Sequence, residues 1–261
     1  MCFSRKYFQI HMKIGLISDI HEDILSLEQA FRFFSSEKCD QIFCLGDIVG
    51  FALPFFKYIE TRNANECINL IKKNCDETVI GNHDLFAIKK VPEHKFGFDY
   101  GADWYSLDYD ERAKKAKEKI WLYEDNEIKS ALNEESIEFL NKLPEVSTIQ
   151  FDNFNLLISH FCFPDFTGSA IYFPREAFHL QKHFDYMKKE NCRFSISGHG
   201  HTEGIIAVNE ESFQSIPFGE YNLIGRSEWL VIPCTARTTR TNGVAILDTS
   251  LLVLSTYRLT N

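Results

Sequence analysis

Five short polar motifs in this sequence each follow an apolar run and carry side chains that bind metal ions. Asp, Asn and His supply oxygen and nitrogen donors that suit Mn, Fe, Zn or Ni better than Cu(I). A bridging carboxylate is needed to hold two cations close together, and Asp47 is the natural candidate. Glycines beside the motifs let the backbone turn tightly next to the ions. The motifs are Asp19-Ile20-His21, Gly46-Asp47, Gly81-Asn82-His83-Asp84, Ser159-His160 and Gly198-His199-Gly200-His201.

Alternating strand and helix patterns in the first third of the chain predict an α/β fold with a parallel sheet. In an open α/β sheet, ligands bind beyond the carboxyl ends of the strands, so the motifs that follow these strands can meet in one crevice. Asp23 is a suitable N-cap for the first helix. The predicted elements are strands at 12–18, 41–45 and 78–80, and helices over about 23–37 and 64–74.

The segment 86–133 lacks a strand pattern, and we interpret it as a helical insertion that is mostly helical after Asp110. Its aromatic residues between positions 104 and 123 either form a base-stacking lid or fasten the insertion to the core, and we favour the second interpretation. The elements predicted next are a helix at 133–143, a hairpin ending at His160, a helix over about 175–190 and a strand at 194–197. The strand-rich tail predicts a second, mixed or antiparallel sheet.

Composition excludes several classes of function. The chain of 261 residues is long enough for one large or two small domains. It has 28 basic and 37 acidic residues, and the net charge of −9 disfavours bulk nucleic-acid binding. No apolar run reaches the ~20 residues of a membrane-spanning helix, and the first residues lack the apolar stretch of a secretory signal. The eight cysteines form no C-x-x-C pair, so we expect free thiols in a cytoplasmic protein.

The ordered set D-x-H, G-D, G-N-H-D, H and G-H-x-H resembles the calcineurin-like metallophosphoesterase superfamily from about Lys13 to Thr202. The stretches LGDIVGF, NECINLI and VIGNHD are similar to its small bacterial and archaeal phosphodiesterases. The resemblance implies a two-sheet β-sandwich flanked by helices, which is the four-layer α/β fold of that superfamily. We expect a single domain over 12–261, with the helical insertion at about 86–133 and an N-terminal extension at 1–11.

The resemblance also implies two divalent metal ions, with Mn as the first expectation and Fe, Zn, Ni or Mg as the others. It implies that His83 is the catalytic residue beside the scissile phosphate, where it offsets charge on the phosphoryl oxygens and protonates the leaving oxygen. Asp84 either orients His83 or caps the helix that follows. The implied ligands are Asp19, His21 and His201 for the first ion, Asp47 as the bridge, and Asn82, His160 and His199 for the second.

The implied function is hydrolysis of a small phosphate ester, first of all a nucleotide-like phosphodiester, through in-line attack by a hydroxide that bridges the two metals. Phosphoprotein phosphatase and dinucleoside polyphosphate hydrolase are the alternatives, although Asp47 lacks the following arginine that is typical of protein phosphatases. A different class is a non-catalytic interaction module, like the retromer subunit that resembles this superfamily but lacks a histidine at the position of His83. The oligomeric state stays open.

The chain departs from the usual motifs at three places. Glu22-Asp23 replaces Gly-Asn after His21, Phe161 replaces a glycine after His160, and Ile232–Thr235 replaces an Asn-Pro-Gly-Ser stretch. None of these positions is an expected metal ligand, so the departures concern the substrate rather than the metals.

Overall fold

A computed structural model describes residues 7–8 and 12–259 of the chain. Its helices are α1 (Ile24–Ser36), α2 (Ala64–Asn74), α3 (Asn82–Ala87), α4 (Tyr109–Ala116), α5 (Glu134–Lys142) and α6 (Gln181–Lys189). Its strands are β1 (Tyr7–Phe8), β2 (Lys13–Ile17), β3 (Gln41–Cys44), β4 (Phe51–Ala52), β5 (Glu77–Thr78), β6 (Glu127–Ile128), β7 (Val146–Phe151), β8 (Asn155–Ser159), β9 (Cys192–Thr202), β10 (Ile205–Val208), β11 (Phe213–Ile216), β12 (Glu220–Asn222), β13 (Glu228–Pro233), β14 (Gly243–Asp248) and β15 (Val253–Arg258).

Two mixed sheets dominate the fold. One has six strands in the order β12-β15-β14-β2-β3-β5, and the other has seven in the order β1-β7-β8-β9-β13-β10-β11. Strands β2, β3 and β5 are parallel, as the sequence predicts. The prediction that the tail strands form a second sheet together is wrong, because they are divided between the two sheets: β14 pairs with β2, while β10 and β13 extend the sheet of β9.

The inner faces of the two sheets form the central core. Alternate residues along each strand point inward, so Leu16 and Phe43 of one sheet share a fully buried cluster with Ile158 and Ile196 of the other. Helices α1, α2 and α5 cover the outer face of the six-stranded sheet, and α6 covers that of the seven-stranded sheet. The four-layer α/β sandwich expected from the sequence is therefore confirmed.

The glycine-histidine motif lies inside a strand rather than after it. We expect the strand to end at residue 197, but β9 continues to Thr202. His199 and His201 adopt left-handed φ values of 63° and 44°, and the register between β9 and β13 shifts between Val231 and Pro233. The irregular backbone of β9 therefore presents both histidines at the end of the sheet.

The insertion contains less helix than the sequence predicts. Besides the short helix α4 it has a single 3₁₀ turn at Trp104–Ser106, and it contributes the strand β6, which pairs with β4. Helix α4 ends early because Lys117 and Glu118 take left-handed φ values of 46° and 59°. The chain then runs alongside residue 170, where Ile120 and Ala170 form a β-bridge. The prediction of a mostly helical segment after Asp110 is wrong.

Three other predictions concern the N-terminal extension, the cysteines and membrane-spanning helices. Within the expected extension 1–11, the backbone of Tyr7–Phe8 pairs with β7, and the other residues lie outside the described part of the chain. Cys39, Cys44, Cys67, Cys75, Cys162, Cys192 and Cys234 are free thiols, buried or half-buried. Among the described residues, no helix has the length and apolar character needed to cross a membrane.

Candidate metal centre

The loops that follow β2 and β3 lie side by side. The amide of Asp19 donates to the carbonyl of Gly46 at 3.1 Å, and the amide of His21 donates to the carbonyl of Asp47 at 3.0 Å. Asp19, His21 and Asp47 have left-handed φ values of 54°, 46° and 53°. Such a conformation costs about 1 kcal/mol or more for a residue with a side chain, and here cross-loop hydrogen bonds stabilise it. Strained backbone of this kind is typical of functional sites.

Asp19, His21 and His201 form the first cluster of metal-binding side chains. The Nε2 atom of His201 lies 3.2 Å from Oδ1 of Asp19 and 3.2 Å from Nε2 of His21. His21 Nε2 is 4.0 Å from the same carboxylate oxygen. One oxygen and two ring nitrogens therefore converge on one point.

Asp47, His160 and His199 form a second cluster beside the first. His160 Nε2 is 3.0 Å from Oδ2 of Asp47, and His199 Nδ1 is 3.2 Å from His160 Nε2. The side-chain oxygen of Asn82 lies 3.1 Å from His199 Nδ1. Because His21 Nε2 is also only 3.9 Å from Oδ2 of Asp47, this carboxylate lies between the two clusters.

Hydrogen bonds behind the two clusters fix the orientation of three donors. The Nδ1 atoms of His21 and His160 donate to the carbonyls of Gly50 and Leu45 at 2.8 and 2.7 Å, so Nε2 is the ring nitrogen that faces the site in each histidine. The Asn82 amide donates to the hydroxyl of Tyr123, which turns its oxygen toward His199. Outer partners of this kind fix the tautomer and the direction of a metal ligand.

The charges of the site show a balance that suits cations. Burial raises the pKa values of Asp19 and Asp47, but His201 and His160 outweigh this effect, and both pKa values lie below their usual range. Burial lowers the pKa of His160, yet Asp47 more than compensates and raises it to about 9. Two buried carboxylates thus need positive charge, which protons on histidine supply and which a metal ion can replace.

The neutral histidines of the site are suited to ligation. Burial lowers the pKa of His21 to about 3, with a second contribution from the neighbouring His83. Burial also lowers the pKa of His199 to about 3, with a second contribution from His160. A neutral imidazole with its lone pair in the site binds a metal ion without first losing a proton. The donor set of carboxylates, imidazoles and one amide oxygen fits Mn, Fe, Zn or Ni.

Residues 12–250 match the model of the calcineurin-like phosphoesterase superfamily domain. The chain belongs to the calcineurin-like phosphoesterase superfamily. It is therefore a metallophosphoesterase, a hydrolase of phosphate esters, and its His and Asp clusters are able to bind the divalent metal ions of that superfamily.

The metallophosphoesterase is similar to proteins of other organisms. It is 27% identical over 209 residues to an uncharacterized protein of Methanocaldococcus jannaschii. The matched region covers 76% of this chain and 71% of that protein. Its fold matches the crystal structure of a metallophosphoesterase from Sphaerobacter thermophilus with a TM-score of 0.65 and 20% identity, covering 96% of this chain and 88% of that one. A hypothetical protein of Pyrococcus horikoshii matches with a TM-score of 0.59 and 12% identity, over 95% and 87% of the two chains.

His83 lies beside both clusters of the metallophosphoesterase, at the start of α3. Its backbone amide donates to Oδ1 of Asp47 at 2.9 Å, and its ring meets His21 edge-on at a centroid distance of 4.9 Å. The ring fits only because Gly50 has no side chain, since a Cβ atom there would lie 2.5 Å from Cβ of His83. The side chain of His83 is 16% exposed, so it can reach a bound ester.

Glu127, which the sequence analysis missed, orients His83. Its Oε2 atom lies 2.6 Å from Nδ1 of His83, and its side chain is 1% exposed. Burial lowers the pKa of His83, but Asp47 and Glu127 raise it above its usual value overall. Nothing in the sequence distinguishes Glu127 from the other acidic residues of the insertion. Asp84 does not take this role: its carboxylate accepts from the amides of Gly81 and Val49, and so it caps α3.

The departure at Glu22-Asp23 has a structural role. Asp23 caps α1 and binds the guanidinium of Arg237 through both carboxylate oxygens, at 2.7 and 2.8 Å. Glu22 is buried and accepts from Arg62 at 2.9 Å and from Ser130 of the insertion. The two carboxylates therefore fasten peripheral loops to the segment that carries His21.

Proposed function

We propose that this protein is a dinuclear metal-dependent phosphodiesterase that acts on small nucleotide-like esters. The observation that carries the proposal is the position of Asp47, whose Oδ2 atom lies 3.0 Å from His160 Nε2 and 3.9 Å from His21 Nε2. Each of these nitrogens belongs to a different cluster. A carboxylate placed in this way has the geometry of a bridge between two cations.

The proposed ligation follows the two clusters. Mn is the expected ion, and Fe, Zn, Ni or Mg have overlapping ligand preferences. When bound, the ions supply Lewis-acid polarisation of the phosphoryl group and activation of a water molecule for in-line attack. The proposed ligands are Asp19, His21 and His201 for one ion, Asp47 for both, and Asn82, His160 and His199 for the other.

His83 is the proposed catalytic residue. Glu127 holds its Nδ1–H at 2.6 Å, which leaves Nε2 for the substrate. Because Asp47 and Glu127 raise the pKa of His83, the imidazolium can offset the charge that builds on the phosphoryl oxygens. The same group can deliver a proton to the leaving oxygen, for which an imidazole is suited near neutral pH.

The neighbouring arginines support a diester rather than a monoester substrate. Arg62 is paired with Glu22, and Arg237 is paired with Asp23. Both guanidinium groups already have carboxylate partners, so they offer little to the second negative charge of a monoester. A diester carries a single negative charge, which the proposed metal ions and His83 can balance.

Hydrolysis of bis-p-nitrophenyl phosphate and of p-nitrophenyl phosphate tests the proposal. The metal-stripped protein is refilled with Mn²⁺, and the His83→Ala variant is compared with His94→Ala. His94 is a matched control because it also has a glutamate partner, Glu145, at 2.6 Å. We expect preferential diester turnover that requires metal and is lost in His83→Ala alone.

Other outcomes would contradict the proposal. Turnover of the monoester alone would favour a phosphoprotein phosphatase. If neither ester reacts but dinucleoside polyphosphates are cleaved, the protein is a hydrolase of those compounds. A protein that cleaves none of these compounds and retains no metal would be a non-catalytic interaction module.

A further inference from the structure

The histidines of the site show from which side a substrate approaches. Asp47 and His160 each expose 1% or less of their surface. His83 and His201, in contrast, expose 16% and 29% of their side chains, and His199 is half-buried. The phosphate group of a substrate must therefore reach the site past these three partly exposed rings.

Phe173 lies at this open side. Its ring stacks on the imidazole of His199, with centroids 5.8 Å apart and planes 14° apart. A Cβ atom on Gly200 would lie 3.4 Å from the Cζ atom of Phe173, so the ring also lies next to the backbone between His199 and His201. The ring of Phe161 supports it at a centroid distance of 5.4 Å. Phe173 is nevertheless 42% exposed.

Three other aromatic rings near the site are buried and not available to a ligand in this way. Phe56 contacts His21 and His201 but is only 3% exposed. In the insertion, Trp104 is buried in a cluster with its neighbours, and the ring of Tyr123 is buried between His83 and Phe86. These insertion aromatics fasten the segment to the core. Phe173, which lies in none of the sequence motifs, keeps its ring accessible.

We propose that Phe173 is a specificity-determining residue that stacks against a planar aromatic substituent of the substrate, such as a nucleobase. This inference rests on the proposed function, because it places the phosphate at the metal clusters and the base beside His199. A ring next to a phosphate site can contact a base that is joined to the phosphate through a ribose. Stacking on a fixed aromatic ring is sequence-tolerant because every base has a π face.

Binding of two phosphate monoesters that differ in the base alone tests this role. Adenosine 5′-monophosphate and ribose 5-phosphate share the sugar and the phosphate, so the ratio of their dissociation constants isolates the contribution of the base. Both are measured by calorimetry on the Mn²⁺-loaded protein and on Phe173→Ala, Phe173→Tyr and Phe178→Ala. Phe178 is a matched control because it is a 70% exposed phenylalanine of the same region whose ring contacts His179.

We expect the native protein and Phe178→Ala to bind the nucleotide about tenfold more tightly than the sugar phosphate. Phe173→Tyr keeps this preference, and Phe173→Ala loses it while its affinity for ribose 5-phosphate stays the same. An equal preference in Phe173→Ala and the native protein would overturn the inference, as would a native protein that does not distinguish the two ligands. Neither result depends on turnover, so failure of the proposed hydrolysis is recognised separately in the ester assay.

Discussion

The carboxylate of Glu127 lies 2.6 Å from Nδ1 of His83, although the two residues are 44 positions apart in the chain. Glu127 belongs to β6, and its strand partner β4 begins at Phe51, directly after Gly50. The carbonyl of Gly50 in turn holds the ring of His21. The insertion therefore completes the site, since it orients His83 and is paired with the loop that orients a proposed metal ligand.

Removal of the Glu127 carboxylate should lower turnover more than substrate binding. We expect Glu127→Gln to reduce kcat about tenfold and Glu127→Ala about a hundredfold, with smaller changes in KM, because His83 loses its orientation and charge partner. Steady-state kinetics with a diester measure both constants. Glu118→Gln, an exposed carboxylate of the same insertion, serves as the control. A native kcat in Glu127→Ala would show that His83 needs no partner.

Tyr123→Phe should weaken one of the two metal sites. The Tyr123 hydroxyl accepts from the Asn82 amide, and without it the Asn82 oxygen is free to rotate away from His199. The affinity for one ion should fall at least about tenfold while the other is retained, which calorimetric titration with Mn²⁺ resolves. Tyr105→Phe removes a hydroxyl elsewhere in the insertion and should bind both ions normally. Identical titrations of the two variants would argue against the role of Tyr123.

Gly168→Ala should perturb His199 specifically. Gly168 has a φ of +76°, and a Cβ atom there would lie 2.5 Å from Cε1 of His199. Gly97 has a similar φ of +72° but nothing within 4 Å of its Cβ position. Both substitutions should cost about 1 kcal/mol of stability through backbone strain, but only Gly168→Ala should also lower turnover tenfold or more. Denaturant unfolding and diester kinetics separate the two effects, and equal activity in both variants would contradict the expectation.

His183 should make the protein less stable in acid. It is fully buried, its Nδ1 accepts from the amide of Phe163 at 2.9 Å, and burial lowers its pKa to about 3. The unfolded chain binds a proton near pH 6.5 and the folded chain does not. The contribution of the neutral His183 to the free energy of unfolding is therefore fully present above about pH 6.5. It is lost as the pH falls toward 3, by at most about 1.4 kcal/mol per pH unit.

Urea unfolding of the metal-stripped protein between pH 7 and pH 4 checks this dependence. His183→Asn keeps a hydrogen-bond acceptor for Phe163 but does not titrate in this range. The free energy of unfolding should fall more steeply with decreasing pH in the native protein than in the variant. Parallel curves for the two proteins would show that His183 does not cause the acid sensitivity.

The residues of the two clusters could be predicted from the sequence because each lies in a short motif at or near the end of a strand. Asp19, His21 and Asp47 needed no long-range information beyond the rule that parallel strands end at the same edge. Glu127 and Tyr123 could not be predicted, since they come from an irregular segment without periodicity. Their partners His83 and Asn82 lie 44 and 41 positions away. Contacts of this kind depend on the path of the insertion, which no local pattern specifies.

The sequence also could not predict which strands pair with those of the tail. Alternation of apolar and polar residues predicts the faces of β13 and β14 but carries no information on which strand lies beside them. In the structure β13 pairs with β9, and β14 pairs with β2. The end of α4 was likewise unpredictable, because neither Lys117 nor Glu118 is a residue type that usually takes a left-handed conformation.

Titration of the metal-stripped protein with Mn²⁺, with bound metal and diester turnover followed together, measures whether hydrolysis needs two ions bridged by Asp47. Turnover of bis-p-nitrophenyl phosphate should reach its plateau at two ions per chain. Asp47→Asn, which removes the charge of the proposed bridging carboxylate, should bind fewer ions and lose at least about a hundredfold in kcat. Full turnover in the metal-stripped protein, or two ions bound to the native chain and to Asp47→Asn with equal affinity, would contradict the claim.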